Sequence, residues 1–312
     1  MTDGFATGDG MADGALAIGD DGFAEAVMES DGALGEKARG GNGAWIRGEV
    51  AEASAILAAR NLAHADAVAG PAHPKSGTLY LRFGKRALDV ALSGIALLLT
   101  LPVNLVLAVL TYRDVGSPIF YVQERTGKDL KSFKMVKFRN MTEERDEDGE
   151  LLPPEERITR LGLFVRSHSL DELLNFWSVL KGDMSLIGPR PLPVEFTPHM
   201  TERHKARYAV RPGLECPRVG DGEPEAGIDY AHARFENDID YVESVSLATD
   251  ARLAFKLVKL VLGRGSSGDS TGTDSHFAGY DSDGRAMSLG RLKDPACYRR
   301  EVLGIDDEEV GE

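Results

Sequence analysis

The chain has 312 residues and a formal net charge of −14, which leaves room for one large domain or two small ones. Its acidity disfavours general nucleic-acid binding, which needs Lys and Arg to displace counterions from phosphates, so no nucleic-acid partner is expected and any anionic substrate must meet a local basic cluster. The two cysteines, Cys216 and Cys297, lack a CxxC or other metal-ligand spacing; neither a zinc site nor a disulfide framework is indicated, and a reduced cytoplasmic setting fits.

Met1 to Phe5 carries an acidic residue and no Lys or Arg, so no cleaved secretory signal is expected. Net charge is −7 over residues 1–79, −2 over 80–262 and −5 over 263–312, so most of the acidity lies in the two ends. Residues 1–45 are rich in Gly, Asp and Ala, with Asp3-Gly4-Phe5-Ala6 echoed at Asp21-Gly22-Phe23-Ala24. Such a stretch buries too little apolar surface to offset its ordering entropy, and 1–79 is expected to be a largely disordered acidic tail with an Ala-rich helix within 49–69. Residues 264–284 read as a linker, and the chain closes on the acidic run Asp306 to Glu309, so 263–312 is expected to be linker and tail. The organised domain is expected over 80–262.

That domain opens with Val90 to Tyr112, 23 residues without a charge, and about 20 apolar residues suffice to cross a bilayer. Pro102 interrupts the run, removing a backbone donor and crowding the preceding turn. Arg82, Lys85 and Arg86 precede it; Arg113 and then Arg125, Lys128, Lys131, Lys134, Lys137 and Arg139 follow. If cationic flanks stay cytoplasmic, both ends belong on one face, and a re-entrant helix-break-helix over 87–112 satisfies that. The alternatives are a single kinked span with the tail outside or, less compatible with the length, a buried soluble helix. In Asp250 to Leu262, Arg252, Lys256 and Lys259 share one helical face and Leu253, Leu257, Val258 and Val261 another, the pattern of an interfacial helix or of a surface helix packed on its own domain.

Ser169-Leu170-Asp171-Glu172 reads locally as a capping box, Ser169 the N-cap and Glu172 the N3 residue of a helix from Leu173 to Leu180, and acidic residues in a first turn also suit the helix dipole. Its surroundings add chemistry. Arg160 and Arg166 lie upstream, and Gly188-Pro189-Arg190-Pro191 downstream fixes a turn that holds a guanidinium, which grips phosphate by a two-pronged hydrogen bond. A carboxylate among fixed cations is suited to attack phosphorus and offers the oxygen ligands magnesium prefers.

Taken in order, these residues resemble the bacterial sugar transferases, the monotopic phosphoglycosyl transferases that start glycan assembly on polyprenyl phosphate. The likeness covers about 82–262 and includes Lys85-Arg86 with Asp89, Gly116-Ser117-Pro118-Ile119-Phe120, Gln123-Glu124-Arg125-Thr126-Gly127, Lys137-Phe138-Arg139-Asn140-Met141 and Ile158-Thr159-Arg160-Leu161-Gly162. It continues with Arg166, Ser169 to Glu172, Asn175, Val179 to Ser185, Gly188 to Leu192, and then Asp238, Tyr241, Ser246-Leu247 and Asp250. The resemblance implies an α/β or mostly α fold: a re-entrant membrane helix with Pro102 at its break, followed by a small catalytic domain with amphipathic interfacial helices on the cytoplasmic face of the inner membrane. It implies a two-step, magnesium-dependent transfer of a phosphosugar from a UDP-sugar to polyprenyl (undecaprenyl) phosphate, an initiating step of exopolysaccharide or other glycan assembly. Asp171 would attack and release UMP, Glu172 would be the second acid, Asp171 and Glu172 would hold the metal, and Lys137, Arg139, Arg166 and Arg190 would hold phosphates. Homo-oligomerisation is left open. Two departures stand out: Leu174-Asn175-Phe176-Trp177 where the family often has Pro-Gln, and Leu214-Glu215-Cys216-Pro217 where it usually has Ile-Thr-Gly-Trp, so sugar specificity does not transfer. Rival readings are a catalytically inactive membrane interaction protein on the same core and a nucleotide-sugar hydrolase.

Overall fold

The computed structural model describes residue 57 and residues 60–304, apart from 147–148, 150–151, 153, 222–226, 264–275 and 293. Residues 1–56 and 58–59 of the tail expected over 1–79, and the acidic run Asp306 to Glu309, therefore lie outside the described residues. The described chain begins with helix α1 (residues 60–68). A turn at Tyr80–Gly84 leads into α2 (Lys85–Val115), whose buried residues are Lys85, Asp89, Ser93, Asn104, Leu107 and Thr111. All but one of these are polar, while Leu98 and Leu99 in mid-helix are each 72 % exposed. That inverts the pattern of a soluble helix, which turns its apolar stripe to the core. It is the pattern expected where lipid is the surrounding solvent, and Tyr80–Val115 is long and apolar enough to cross a membrane.

The expected break at Pro102 is corrected: α2 runs through it as one helix. Proline removes one ladder bond, but neighbouring hydroxyl and amide groups can support the freed turn. The carbonyl that loses its donor is that of Leu98, and the turns on either side stay helical, with Thr100 Oγ1 donating to the Ala96 carbonyl at 2.8 Å and Asn104 Nδ2 to Thr100 Oγ1 at 3.4 Å.

Both ends of α2 are tied to the domain that follows. At the N-terminal end, Lys85 Nζ donates to the Ile187 carbonyl (2.9 Å) and pairs with Asp250 (2.6 Å). Arg86 donates to the Val179 and Leu180 carbonyls, 2.6 Å each, capping the last turn of α4 (Asn175–Lys181). Asp89 Oδ1 accepts from Ser185 Oγ and the Leu186 N–H, 3.0 Å each. At the other end, the Thr159 hydroxyl donates to Asp114 and Arg139 to the Val115 carbonyl.

Among the described residues three two-stranded sheets accompany the helices, so the domain is mixed, with helices predominant. Strands β1 (Phe120–Thr126) and β2 (Ser132–Phe138) form an antiparallel hairpin with Gln123 opposite Met135. Phe138 packs with Leu107 and with Val165 of α3 (Arg160–Ser167). The Thr159 hydroxyl caps α3 by accepting the Gly162 N–H at 2.8 Å. Strands β3 (Ser185–Ile187) and β4 (Gly213–Glu215) pair in parallel. A short α5 (Glu202–Lys205) separates them, and α6 (Tyr230–Ser244) and α7 (Leu247–Gly263) follow. In α7, Leu253 is fully buried and Leu257 half-buried in the cluster around Ile187, Tyr241 and Val242, whereas Phe255 and Val258 are exposed. One apolar edge of α7 is thus domain core and the other is free.

Residues 276–303, expected as part of a peripheral linker and tail, are instead packed. Strands β5 (Phe277–Tyr280) and β6 (Ala286–Ser288) form a hairpin. Phe277, Tyr280 and Ala286 share a buried cluster with Ala65, Met200, Ala231 and Phe235, and Ala278 and Met287 share another with Leu57, Leu292 and Val302. Two short strands and one residue face from each neighbour bury these aromatics, and such burial offsets the entropy of ordering a polar, Gly-rich stretch.

Candidate active site

The site is built on two backbone turns joined through the contacts of Glu172 with Lys137 of β2 and with Arg190. In the first, Ser169 adopts a left-handed conformation (φ 54°) and Leu170–Glu172 form one 3₁₀ turn, so the expected capping box is not made: the Ser169 hydroxyl caps nothing and Glu172 does not reach back. The reason is electrostatic, because hydrogen bonds to charged donors are about twice as strong as neutral ones. Lys137 Nζ bonds Glu172 Oε1 at 2.7 Å, and Arg190 engages both oxygens, Nη1 to Oε2 at 3.0 Å and Nη2 to Oε1. Burial alone pushes the Glu172 carboxyl up, but Arg190 and Lys137 outweigh it and hold it at about 2. Asp171, buried next to it, has the opposite balance: burial raises its pKa, with Lys137 only partly opposing. Two adjacent carboxylates are thus made unequal, one clamped and anionic, one desolvated and more basic.

The second turn, Gly188 to Pro191, holds Arg190. Gly213 lies so close beneath it that a Cβ there would fall 2.2 Å from the Gly188 amide nitrogen, while the Gly213 N–H bonds the Pro189 carbonyl at 2.9 Å. Gly213→Ala is expected to force the two strands apart, lower stability by about 3 kcal/mol and cut activity through displacement of Arg190. Thermal unfolding beside turnover checks it, and a wild-type melting temperature would show that the contact is not needed.

Arg190 Nη1 also donates to the Leu214 carbonyl (3.0 Å) and stands 3.7 Å from Glu215. Arg207, fully buried, bonds the Arg190 carbonyl at 2.7 Å and pairs with Asp238 at 2.7 Å, and Arg125 bonds the Pro191 carbonyl at 2.9 Å.

Of the residues singled out from the sequence, Lys137, Asp171, Glu172 and Arg190 converge. Arg166, on the last turn of α3, makes no side-chain hydrogen bond or ion pair with a described residue, and its charge acts on Asp171. Arg139 is committed elsewhere, to the Val115 carbonyl and, at 3.0 Å, Glu143. Sequence reasoning missed Arg125 and the Arg207–Asp238 pair as supports of the Arg190 turn; Asp238 carried a family signal, Arg207 none. A trio elsewhere with metal-ligand spacing, His204, His232 and Glu236, is knitted internally. His204 meets the Tyr280 hydroxyl and Glu236, each at 2.9 Å, and His232 Nδ1 accepts the Ala286 N–H at 3.2 Å, which leaves the proton of its neutral ring on Nε2.

A long apolar helix is thus held at both ends by a domain that gathers cations around an unequal acid pair. The chain belongs to the bacterial sugar transferase family, whose model matches residues 80–264. It is 37 % identical over 178 residues to the uncharacterized sugar transferase EpsL of Bacillus subtilis (strain 168), covering 57 % of this chain and 87 % of that protein. It is 34 % identical over 186 residues to the UDP-N-acetylgalactosamine-undecaprenyl-phosphate N-acetylgalactosaminephosphotransferase of Aeromonas hydrophila, covering 58 % of this chain and 44 % of that one. The UDP-glucose:undecaprenyl-phosphate glucose-1-phosphate transferase of Klebsiella pneumoniae is 32 % identical over 181 residues, 56 % of this chain and 39 % of its own. The chain thus spans most of the first relative and less than half of the other two.

Proposed function

We propose that this protein transfers a sugar-1-phosphate from a UDP-sugar to polyprenyl phosphate through a phosphosugar covalently held on Asp171. The observation that carries this reading is the splitting of the dyad: Glu172 is locked by Lys137 and Arg190, and Asp171 is left as the buried, more basic carboxylate beside them. In the first step an Asp171 oxygen bonds to the sugar-linked phosphorus as the bond from that phosphorus to the bridging oxygen breaks, and UMP leaves. In the second, an oxygen of polyprenyl phosphate bonds to the same phosphorus and the Asp171 carboxylate is released. Lys137, Arg166 and Arg190 offset the negative charge on the phosphorus centre. Arg139, tied to the end of α2, has a positioning role.

Asp171 offers its carboxylate and Glu172 Oε2, which accepts only from Arg190 Nη1, keeps one lone pair, so the donor set suits Mg²⁺ in its usual manner, one or two carboxylate oxygens with the rest from substrate phosphates and water. Asp171 would be the principal protein ligand and Glu172 the second. When bound, the ion would neutralise diphosphate charge and ease departure of UMP.

Enzyme mixed with a UDP-sugar and magnesium, without lipid, is expected to release UMP up to about one equivalent, with intact-mass analysis showing a phosphosugar on the peptide that carries Asp171. Lipid-dependent release with no adduct would overturn the covalent role. Continuous turnover without lipid would favour a hydrolase, and no release at all an inactive interaction protein.

We read α2, held at both ends by one domain with leucines exposed between and helical through Pro102, as entering and leaving one leaflet at the cytoplasmic face of the inner membrane by a bend of the continuous helix rather than by a break. A straight span would part those ends by about 30 Å of hydrocarbon. Cysteines placed at Ser76 and Lys128 are both expected to react with a membrane-impermeant maleimide only after permeabilisation. Labelling of position 76 in intact cells would rule the arrangement out.

A further inference from the structure

The family match ends at residue 264, yet the β5–β6 hairpin beyond it is fastened to the same face that supports Arg190. Phe277 packs against Phe235 of α6 with ring centroids 5.1 Å apart, and Phe235 in turn lies under the Arg207 guanidinium at 5.1 Å. The residues just before this aromatic pair in each element are Arg234 and His276. His276 is exposed and its ring is 6.1 Å from that of Phe196. Phe196 belongs to the turn that follows Pro193, and Pro193 bridges to Arg125. Arg234 makes no hydrogen bond or ion pair with a described residue. One helical turn before it, at the i, i+4 spacing that shares a face, Tyr230 exposes 59 % of its surface.

We propose that Arg234 and His276 bind the nucleoside-side phosphate of the donor, with Tyr230 offering its ring to the base, so that the hairpin outside the family domain completes the nucleotide site. The inference rests on the donor being a nucleoside diphosphate sugar, as read above. The cations at the dyad already have a carboxylate partner in Glu172, whereas the side chains of Arg234 and His276 pair with no described residue, and a nucleoside diphosphate sugar carries a second phosphate that needs its own cations. The electrostatics agree: burial and then Arg207 push the Arg234 guanidinium down, and burial and then Arg190 bring the Arg125 guanidinium down to about 10. Groups that repel one another in this way form an excess of positive potential that an anion relieves.

The full-length protein in lipid discs, titrated calorimetrically with UDP, tests it. His276→Ala and Arg234→Gln are each expected to weaken UDP binding about tenfold or more, the scale of one hydrogen bond to a charged group. They should raise KM for the UDP-sugar while leaving the single-turnover rate at saturating donor near wild type, and His276→Gln, which keeps a donor, should recover part of the affinity. A purely structural role would lower the melting temperature and kcat together instead. Unchanged UDP affinity in both variants overturns the inference. UDP binding that depends on these residues, with no adduct ever formed on Asp171, would sustain the nucleotide site and sink the covalent reading.

Discussion

Asp171→Asn is expected to reduce UMP release by roughly 10⁴-fold or more, the scale on which removing a nucleophile acts, to abolish the covalent adduct, and to make the protein more stable. The last effect follows from burial. The folded state raises the Asp171 pKa above its ordinary 3.8, so ionising it opposes folding. Its contribution is harmless below the unfolded value and becomes unfavourable as pH rises through 3.8 towards the folded one. A neutral amide of the same shape removes that penalty at pH 7. Glu172 has the opposite sign. Its folded pKa of about 2 lies below the ordinary 4.5, so it stabilises the fold above about pH 4.5, by about 3 kcal/mol, and that contribution fades as pH falls towards 2. Glu172→Gln should therefore lower the melting temperature at pH 7 where Asp171→Asn raises it by a few degrees. Thermal unfolding of both variants at pH 7 and pH 4, beside the UMP assay, decides the matter. A destabilised Asp171→Asn protein that still forms adduct would contradict the assignment.

What the sequence disclosed was what local pattern can carry. The 23 uncharged residues from Val90 to Tyr112 are a statement about composition, which makes a membrane helix legible as a candidate before its exposed leucines are seen. Asp171 and Glu172 are adjacent, and Gly188 to Pro191 is a self-contained turn, so both could be read in place. Partners far along the chain could not. Ser169 to Glu172 fits a capping box until Lys137, 35 residues away, is known to compete for the Glu172 carboxylate. Lys85 and Asp250 form a buried pair across 165 residues, and each in isolation is an unremarkable surface charge. Pro102 failed as a signal of a break because the loss of one ladder bond does not end a helix whose other turns are intact. The C-terminal hairpin was hidden because β5 and β6 are four and three residues long, too short for alternation to register. The Gly, Ser and Asp around them read as linker. What folds them is the pocket that Phe235, Met200 and Ala65 provide, which is a property of the assembled core.

Arg190→Lys is expected to cost about 10² to 10³-fold in turnover together with a measurable loss of stability, and the pairing of these two effects is what separates its roles. Sequence reasoning gave Arg190 a bidentate contact with phosphate, whereas the structure gives its fork to both oxygens of Glu172, with the Leu214 carbonyl at 3.0 Å as a third acceptor. An ammonium at the same place is a point charge that cannot span two carboxylate oxygens and a carbonyl in one plane. Glu172 would then turn towards Lys137 alone, its pKa would climb back from about 2, and part of its stabilisation would go with it, on the order of 1 to 3 kcal/mol. Because the Gly188 to Pro191 turn is held independently by Arg125 and Arg207, the variant should still fold and partition to membrane. Adduct formation, acceptor transfer and melting temperature are to be measured on the one preparation. Slowed chemistry with a lowered melting temperature identifies Arg190 as the clamp that makes the two carboxylates unequal. Slowed chemistry at an unchanged melting temperature would assign it to phosphate alone, and unchanged kinetics would remove it from the reaction altogether.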